Sequence, residues 1–251
     1  MKKKEEIIVY QNPDPLLVSK QGIFPGVSLL PNNDLIIIFS IGQAFDSSDQ
    51  RPFVTKSKDN GRTWSTPKQL HNHIYGDHEE TDTLKPLLLQ NGNLIATGYA
   101  FVRPDPLTPI VDPISFEVLP LKNKISFSND YGESWTKPNS FSVLNKPLEL
   151  SGPCIQLSSG RILGACPPFH LGENDHSGWI IYSDDNGKTW GKLSEFFNTP
   201  KGEIAAWECR LCATDNNGVA VIFWTYDNVK KINFIGNNVV SIFFKIVNLN
   251  I

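Results

Sequence analysis

The chain has 251 residues, enough to bury a sizeable core, with a formal net charge of −3 and a pI near 6.0. That balance gives no electrostatic footing for nucleic acid or an anionic membrane, and no apolar run approaches the ~18 residues of a membrane span. Met1-Lys2-Lys3-Lys4 is basic, but Glu5-Glu6 follows and the apolar run from Ile7 to Tyr10 is too short for a signal core, so the expected location is the cytoplasm.

In chain order, residues 29–39 read as strand, polar turn, strand, with Pro31-Asn32-Asn33-Asp34 at the turn. A second kind of turn follows at Ser57-Lys58-Asp59-Asn60-Gly61-Arg62-Thr63-Trp64. Its pattern, S-x-D-x-G-x-[ST]-W, returns at residues 128–135 and 183–190, with the Asp residues 71 and then 55 positions apart. Each part has a job. The Asp accepts hydrogen bonds from amides just ahead, the Gly takes a positive φ, and the Trp packs the hairpin onto its neighbour. The first kind of turn also returns, around Asn91-Gly92, Ser159-Gly160 and Asn216-Asn217-Gly218. The residues just past these turns (Leu35, Leu94, Ile162, Val219) are 59, 68 and 57 positions apart. The unit is therefore four strands per ~50–60 residues, the signature of a β-propeller blade. Helix-period segments are absent.

Strand parity sorts the loops. If the first strand of a unit runs from top to bottom, both short turns lie at the bottom and the 2–3 loops at the top. Those top loops, 41–52, 103–121, 167–178 and 227 onward, are long and irregular, so the site is expected there. Cys209-Arg210-Leu211-Cys212 has C-x-x-C spacing but reads as a strand, where residues three apart point to opposite faces. The four cysteines are therefore expected to be ordinary thiols, with no metal or cofactor.

The S-x-D-x-G-x-[ST]-W turns resemble the Asp boxes, or bacterial neuraminidase repeats, of sialidases and their relatives, over about residues 20–226. The resemblance implies an all-β fold, a six-bladed β-propeller of sialidase type, with about 3.5–4 blades in a single domain over residues 1–251. Residues 227–251 fall where a fourth Asp motif is due and read as an atypical tail, so truncation or a frameshift is expected. A closed four-bladed ring is the alternative.

Asp boxes also occur in other glycosidases, sorting receptors and assembly factors, so activity has to be carried over residue by residue. Sialidases open blade 1 with Phe-Arg-Ile-Pro, whose Arg is one of three that clamp the substrate carboxylate. Here the match is Gly22-Ile23-Phe24-Pro25, with Ile23 at the Arg position. Where the family's next Arg ends strand 2, this chain has Ser40-Ile41-Gly42-Gln43. The resemblance assigns the general acid to Asp49, within Ser48-Asp49-Gln50. It assigns the carboxylate that partners the nucleophile to Glu208, within Trp207-Glu208-Cys209-Arg210-Leu211. Trp207 replaces the usual Asn, Trp224 or a neighbour stands where a paired Arg is due, and the nucleophilic Tyr belongs to a blade outside this chain. Ile and Trp cannot make the bidentate, charge-assisted bonds of an Arg clamp, which points away from sialic acid and toward a neutral sugar.

Each candidate has a plainer reading. Asp49 could simply cap a solvated loop, and Glu208 could pair with Arg210 on the same strand face. Arg210 and Arg103, with Arg51, could bind a substrate anion or serve as structural partners. Trp207, Trp224 and Tyr226 could stack on sugar or pack in the core, and His170 and His176 in the third top loop could touch sugar. Residues 77–82, with His71 and His73, read as a solvated loop rather than a metal cluster, with Glu80 and Asp82 near the rim. The leading expectation is a sialidase-like exo-glycosidase removing a terminal sugar from a glycan, with catalysis at Glu208 and Asp49. The alternative is a non-catalytic Asp-box propeller that binds a glycan or protein on its top face.

Overall fold

The computed structural model describes residues 6–72, 79–115, 118–143, 148–167, 176–199, 203–214, 218–227 and 241–248, and among them every regular element is a strand. The chain divides into two compact units, Met1–Thr108 with Lys124–Asn139, and Pro109–Asn123 with Ser140–Ile251.

The first unit is built on two four-stranded sheets. One runs β1 (Gln21–Leu29), β2 (Leu35–Gly42), β3 (Arg51–Ser57), β4 (Lys68–Gln69), and the other β5 (Glu79–Leu88), β6 (Leu94–Arg103), β7 (Leu121–Ser128), β8 (Asn139–Phe141), of which residues 121–123 and 140–141 count with the second unit. Each strand pairs with its sequence neighbour, which is the up-and-down order the repeat predicts. The 1–2 turns close alike, with Leu30 N–H donating to Asp34 O and Leu89 N–H to Asn93 O, both at 2.8 Å. Strand β6 is buried on both faces, so it is apolar nearly throughout. Gly98 lies where β5 comes closest, since a Cβ there would meet Thr83 O at 1.8 Å. The core gathers Leu30, Ile36, Ile38, Leu84, Leu94 and Ala96.

The second unit repeats the plan. It holds the sheet β9 (Ile155–Gln156), β10 (Ile162–Cys166), β11 (His176–Ser183), β12 (Gly191–Thr199), and the three-stranded sheet β13 (Ile204–Ala213), β14 (Gly218–Asp227), β15 (Ser241–Asn248). Leu157 N–H donates to Arg161 O at 2.8 Å and Thr214 N–H to Gly218 O at 2.9 Å, so among the described residues this closing bond occurs four times. Leu163, Ile180, Phe196, Val219, Val221 and Phe223 fill the core.

The three Asp-containing turns share one set of bonds. Around Asp59, Ser57 Oγ donates to Oδ1 (2.8 Å), as does Thr63 N–H (2.9 Å), and Thr63 Oγ1 donates to Oδ2 (2.6 Å). Asp130 and Asp185 are held in the same way by Ser128 and Ser134, and by Ser183 and Thr189. The residue pairs Asn60-Gly61, Tyr131-Gly132 and Asn186-Gly187 take the positive φ values that the turn requires. In the second unit, Arg161 of the first kind of turn is bidentate to Asp184 of the second (2.7 and 2.9 Å), so both lie at one end, as strand parity requires.

One expectation changes, and one segment gains a strand. Residues 79–82 are strand rather than loop, and Asp82 is 3% exposed, because β5 begins earlier than its polar sequence suggests. Residues 241–248, read as an atypical tail, form β15, which pairs with β14 from Thr225↔Ser241 to Gly218↔Asn248 and supplies a third strand to the last sheet.

Candidate functional site

At the loop end of the first unit, residues 43–50 connect β2 to β3 around Asp49. Its Oδ1 accepts from Gln43 N–H (2.9 Å) and Ser47 Oγ (2.7 Å), and its Oδ2 from Lys20 Nζ (2.6 Å). Burial works to raise its pKa, but the bonds from Lys20, Gln43 and Ser47 outweigh that and hold it below the usual carboxylate value. Asp49 is thus ionised and anchored.

Behind this loop lies a buried polar layer. Arg51 Nη1 donates to the carbonyls of Ser48, Gln50 and Glu80 at 2.7–2.9 Å. Arg103, 5% exposed, donates to Thr81 Oγ1 (3.0 Å) and to the carbonyls of Asp46 and Thr108. Both guanidinium groups fasten loops to strands. Lys124 Nζ pairs with Glu80 Oε2 at 2.6 Å. Asp82 is the residue that the sequence reading undervalued. Its carbonyl accepts from Ser40 Oγ (3.0 Å) and Gln50 Nε2 (3.1 Å), and its Oδ2 lies 3.8 Å from His71 Nε2. Its Oδ1 is buried without a hydrogen bond. An unbonded buried carboxylate oxygen is costly unless something polar meets it. The signal in the sequence was Asp82 itself, three residues into a strand and flanked by two threonines.

The second unit positions Glu208 by a backbone irregularity. β13 pairs with β14 through Trp207↔Trp224, then resumes at Arg210↔Ile222, so one extra residue bulges from β13. Glu208 carries the bulge at φ 50°, a left-handed value rare for a residue with a side chain. β1 has the same bulge, between Ile23 and Gly26, with Phe24 at φ 54°. Phe24 demonstrates that the bulge itself does not need a carboxylate. The Glu208 side chain is about one-third exposed, and its Oε2 lies 3.4 Å from Arg210 Nη2. Arg210 Nη1 also donates to Cys209 O at 2.9 Å. Trp207 and Trp224 stack across the strand pair, with centroids 5.6 Å apart and planes 10° apart.

Glu149, 2% exposed and absent from the sequence reading, adds negative charge beside the buried thiols of Cys166 and Cys209. Burial pushes both thiols well above their usual pKa, and Glu149 adds to the shift. All four cysteines are free thiols, and Cys209 is buried while Cys212 is exposed, as strand alternation predicts. His170 lies outside the described residues, and of Tyr226 and His176 only the backbone is described. Among the described residues no group of three or more His, Cys, Asp or Glu side chains is placed to hold a metal, and no helix is long and apolar enough to cross a membrane.

No protein-family model matches the chain, and no curated protein sequence does. Solved structures do match. A protein of unknown function from Dyadobacter fermentans is 22% identical at a TM-score of 0.69, over 89% of this chain and 66% of that one. The NanB sialidase of Streptococcus pneumoniae is 14% identical at 0.62, over 88% and 50%. An α-L-arabinanase of Penicillium chrysogenum is 14% identical at 0.60, over 90% and 63%. The chain thus spans about half to two thirds of the length of these structures. At such identities the likeness speaks for fold. The sheets are blades of an all-β propeller, present here in part.

Proposed function

We propose that this chain is a propeller of the glycosidase type that acts on a terminal sugar of a glycan, with Glu208 as its essential carboxylate. The observation that carries the reading is Glu208 on a positive-φ bulge, accessible to solvent, beside Arg210 and next in sequence to the stacked Trp207–Trp224 pair. Strained backbone held by the surrounding structure is a recurrent property of functional residues. Arg210 Nη2, 3.4 Å away, can orient the Glu208 carboxyl group toward a nucleophile or water, and the indole pair offers an apolar wall for a sugar ring. Ile23, and Trp224 or a neighbour, stand where the resemblance to sialidases implies clamping arginines, which favours a neutral sugar over sialic acid. Sialidase and arabinanase structures among the similar folds agree with a carbohydrate substrate.

The test is hydrolysis of a panel of aryl glycosides, with neutral pyranosides and furanosides alongside an aryl sialoside. The expected outcome is turnover of a neutral glycoside, reduced ~10²–10⁴-fold in kcat by Glu208→Gln with little change in KM. A second reading, a glycan-binding propeller without catalysis, is favoured by Asp49, whose bonds hold it in the wrong protonation state for a general acid. No hydrolysis of any panel member, with oligosaccharide binding retained in calorimetry, would establish that reading instead.

A further inference from the structure

At the end of the first unit opposite Asp49, a cavity of about 510 Å³ opens between two hairpins and is lined by Lys56, Lys58, Lys68, Trp64, Trp135 and Glu133, among others. The repeat shows that this groove is not an inevitable gap. In the register of the Asp turns, Leu70 corresponds to Phe141, and Trp135 to Trp190. In the second unit Phe141 lies flat on Trp190, with centroids 5.0 Å apart and planes 18° apart, so an aromatic ring covers the indole. In the first unit the smaller Leu70 takes that place, and Leu70 and Trp135 both line the cavity. Trp135 differs in another respect. Trp64 and Trp190 donate their indole N–H to Gly61 O and Gly187 O, whereas the buried indole N–H of Trp135 has no acceptor.

The lysines are also particular to this groove. The positions equivalent to Lys56, Lys58 and Lys68 in the next sheet are Phe127, Asn129 and Asn139, so neither strand nor turn demands a cation there. Three lysines and one carboxylate, Glu133, are among the residues that line the groove. Lys56 bonds to Glu133 at 2.5 Å and, with the charge of Lys68, holds it below its usual pKa. The groove therefore carries a positive excess inside the concavity, where low-dielectric walls strengthen its field.

We propose that this groove is a second binding site, for an anionic saccharide bearing sulfate or carboxylate groups. The lysines make charge-assisted bonds to the anionic groups and the Trp64 and Trp135 rings line the sugar faces. Glu133 is the competing anion that such a ligand displaces from Lys56.

The experiment is calorimetric titration of the whole chain with a chondroitin sulfate tetrasaccharide, its desulfated counterpart, and a poly-glutamate peptide of equal charge. Binding of the sulfated sugar is expected to exceed that of both controls. It should weaken about tenfold in the double variant Lys58→Ala, Lys68→Ala, the loss of two exposed charge-assisted bonds. Both lysines are exposed, and circular dichroism of the variant monitors its fold. Glu133→Gln should strengthen binding by removing the competitor. Equal binding of the peptide, unchanged binding in the double lysine variant, or no binding of the sulfated sugar would overturn the proposal. Because the groove contains neither Glu208 nor Asp49, Glu208→Gln should leave this binding intact, which separates it from the glycosidase reading.

Discussion

Glu208 shows how a single backbone angle can separate stability from function. At φ 50° a residue with a Cβ meets its own carbonyl closely, a strain that glycine lacks. Glu208→Gly is accordingly expected to keep or raise stability, by up to about 1 kcal/mol in urea unfolding, while abolishing any glycosidase activity. Glu208→Val is expected to lose both, since a β-branched residue resists that angle most. Asp49 poses a different question, because its pKa is set by opposing influences. Burial is the largest and raises it, and Lys20 is foremost among those that lower it. In Lys20→Met the burial effect faces only the Gln43 amide and Ser47, so the Asp49 pKa should rise, visible in the carboxyl carbon shift by NMR titration. If Asp49 is the proton donor, the alkaline limb of the pH–rate profile moves up with it. An unmoved limb would assign Asp49 to loop anchoring alone.

Among the elements, the turns were the most legible part of the sequence, because each is decided within eight residues. The side chains of Ser57, Asp59 and Thr63 and the amide of Gly61 bond within the turn, so their pattern forecasts their geometry without knowledge of the rest of the chain. The bulges were not legible. Residues at positive φ usually announce themselves as Gly or Asn, but Phe24 and Glu208 hold theirs because the partner strands fix the register on either side. Two glycines measure what the turn needs locally and what packing adds. Gly92 and Gly132 have nearly equal φ, 85° and 81°. A Cβ at Gly92 would meet nothing within 4 Å, whereas at Gly132 it would lie 2.4 Å from Ile36 Cδ1. Gly92→Ala should therefore cost about 1–2 kcal/mol, the conformational part alone. Gly132→Ala should cost about 1–3 kcal/mol more through overpacking, read as the difference between their unfolding midpoints.

For the molecule as a whole, the fold was readable from repetition, while the site depends on meetings between distant residues. His71 reaches Asp82 because β4 returns the chain to the start of the next sheet, and Lys20 reaches Asp49 from 29 positions away. No local pattern encodes either meeting. The summed effect of the repeats, however, leads to a bulk property. Hydrogen bonds from Thr63 and Ser57 hold Asp59 at about 2, against 3.8 for an unperturbed side chain. At Asp130 and Asp185 burial opposes the shift, yet the equivalent hydroxyl and amide donors again bring the value to about 2. Asp49, Asp105, Asp112, Asp184 and Glu133 are lowered as well. A carboxylate whose pKa is depressed on folding stabilises the native state fully above its unfolded value, and that contribution disappears as pH falls through the folded value. All eight groups act in the same direction, so Tm should be flat with respect to them down to about pH 5 and then fall steeply between about pH 4 and pH 2. The triple variant Asp59→Asn, Asp130→Asn, Asp185→Asn should start with a lower Tm and show a shallower acid decline, since Asn has no proton to gain. Thermal melts of the two proteins from pH 7 to pH 2 would decide the matter: parallel curves would mean that the turn aspartates, for all their bonds, do not govern acid stability.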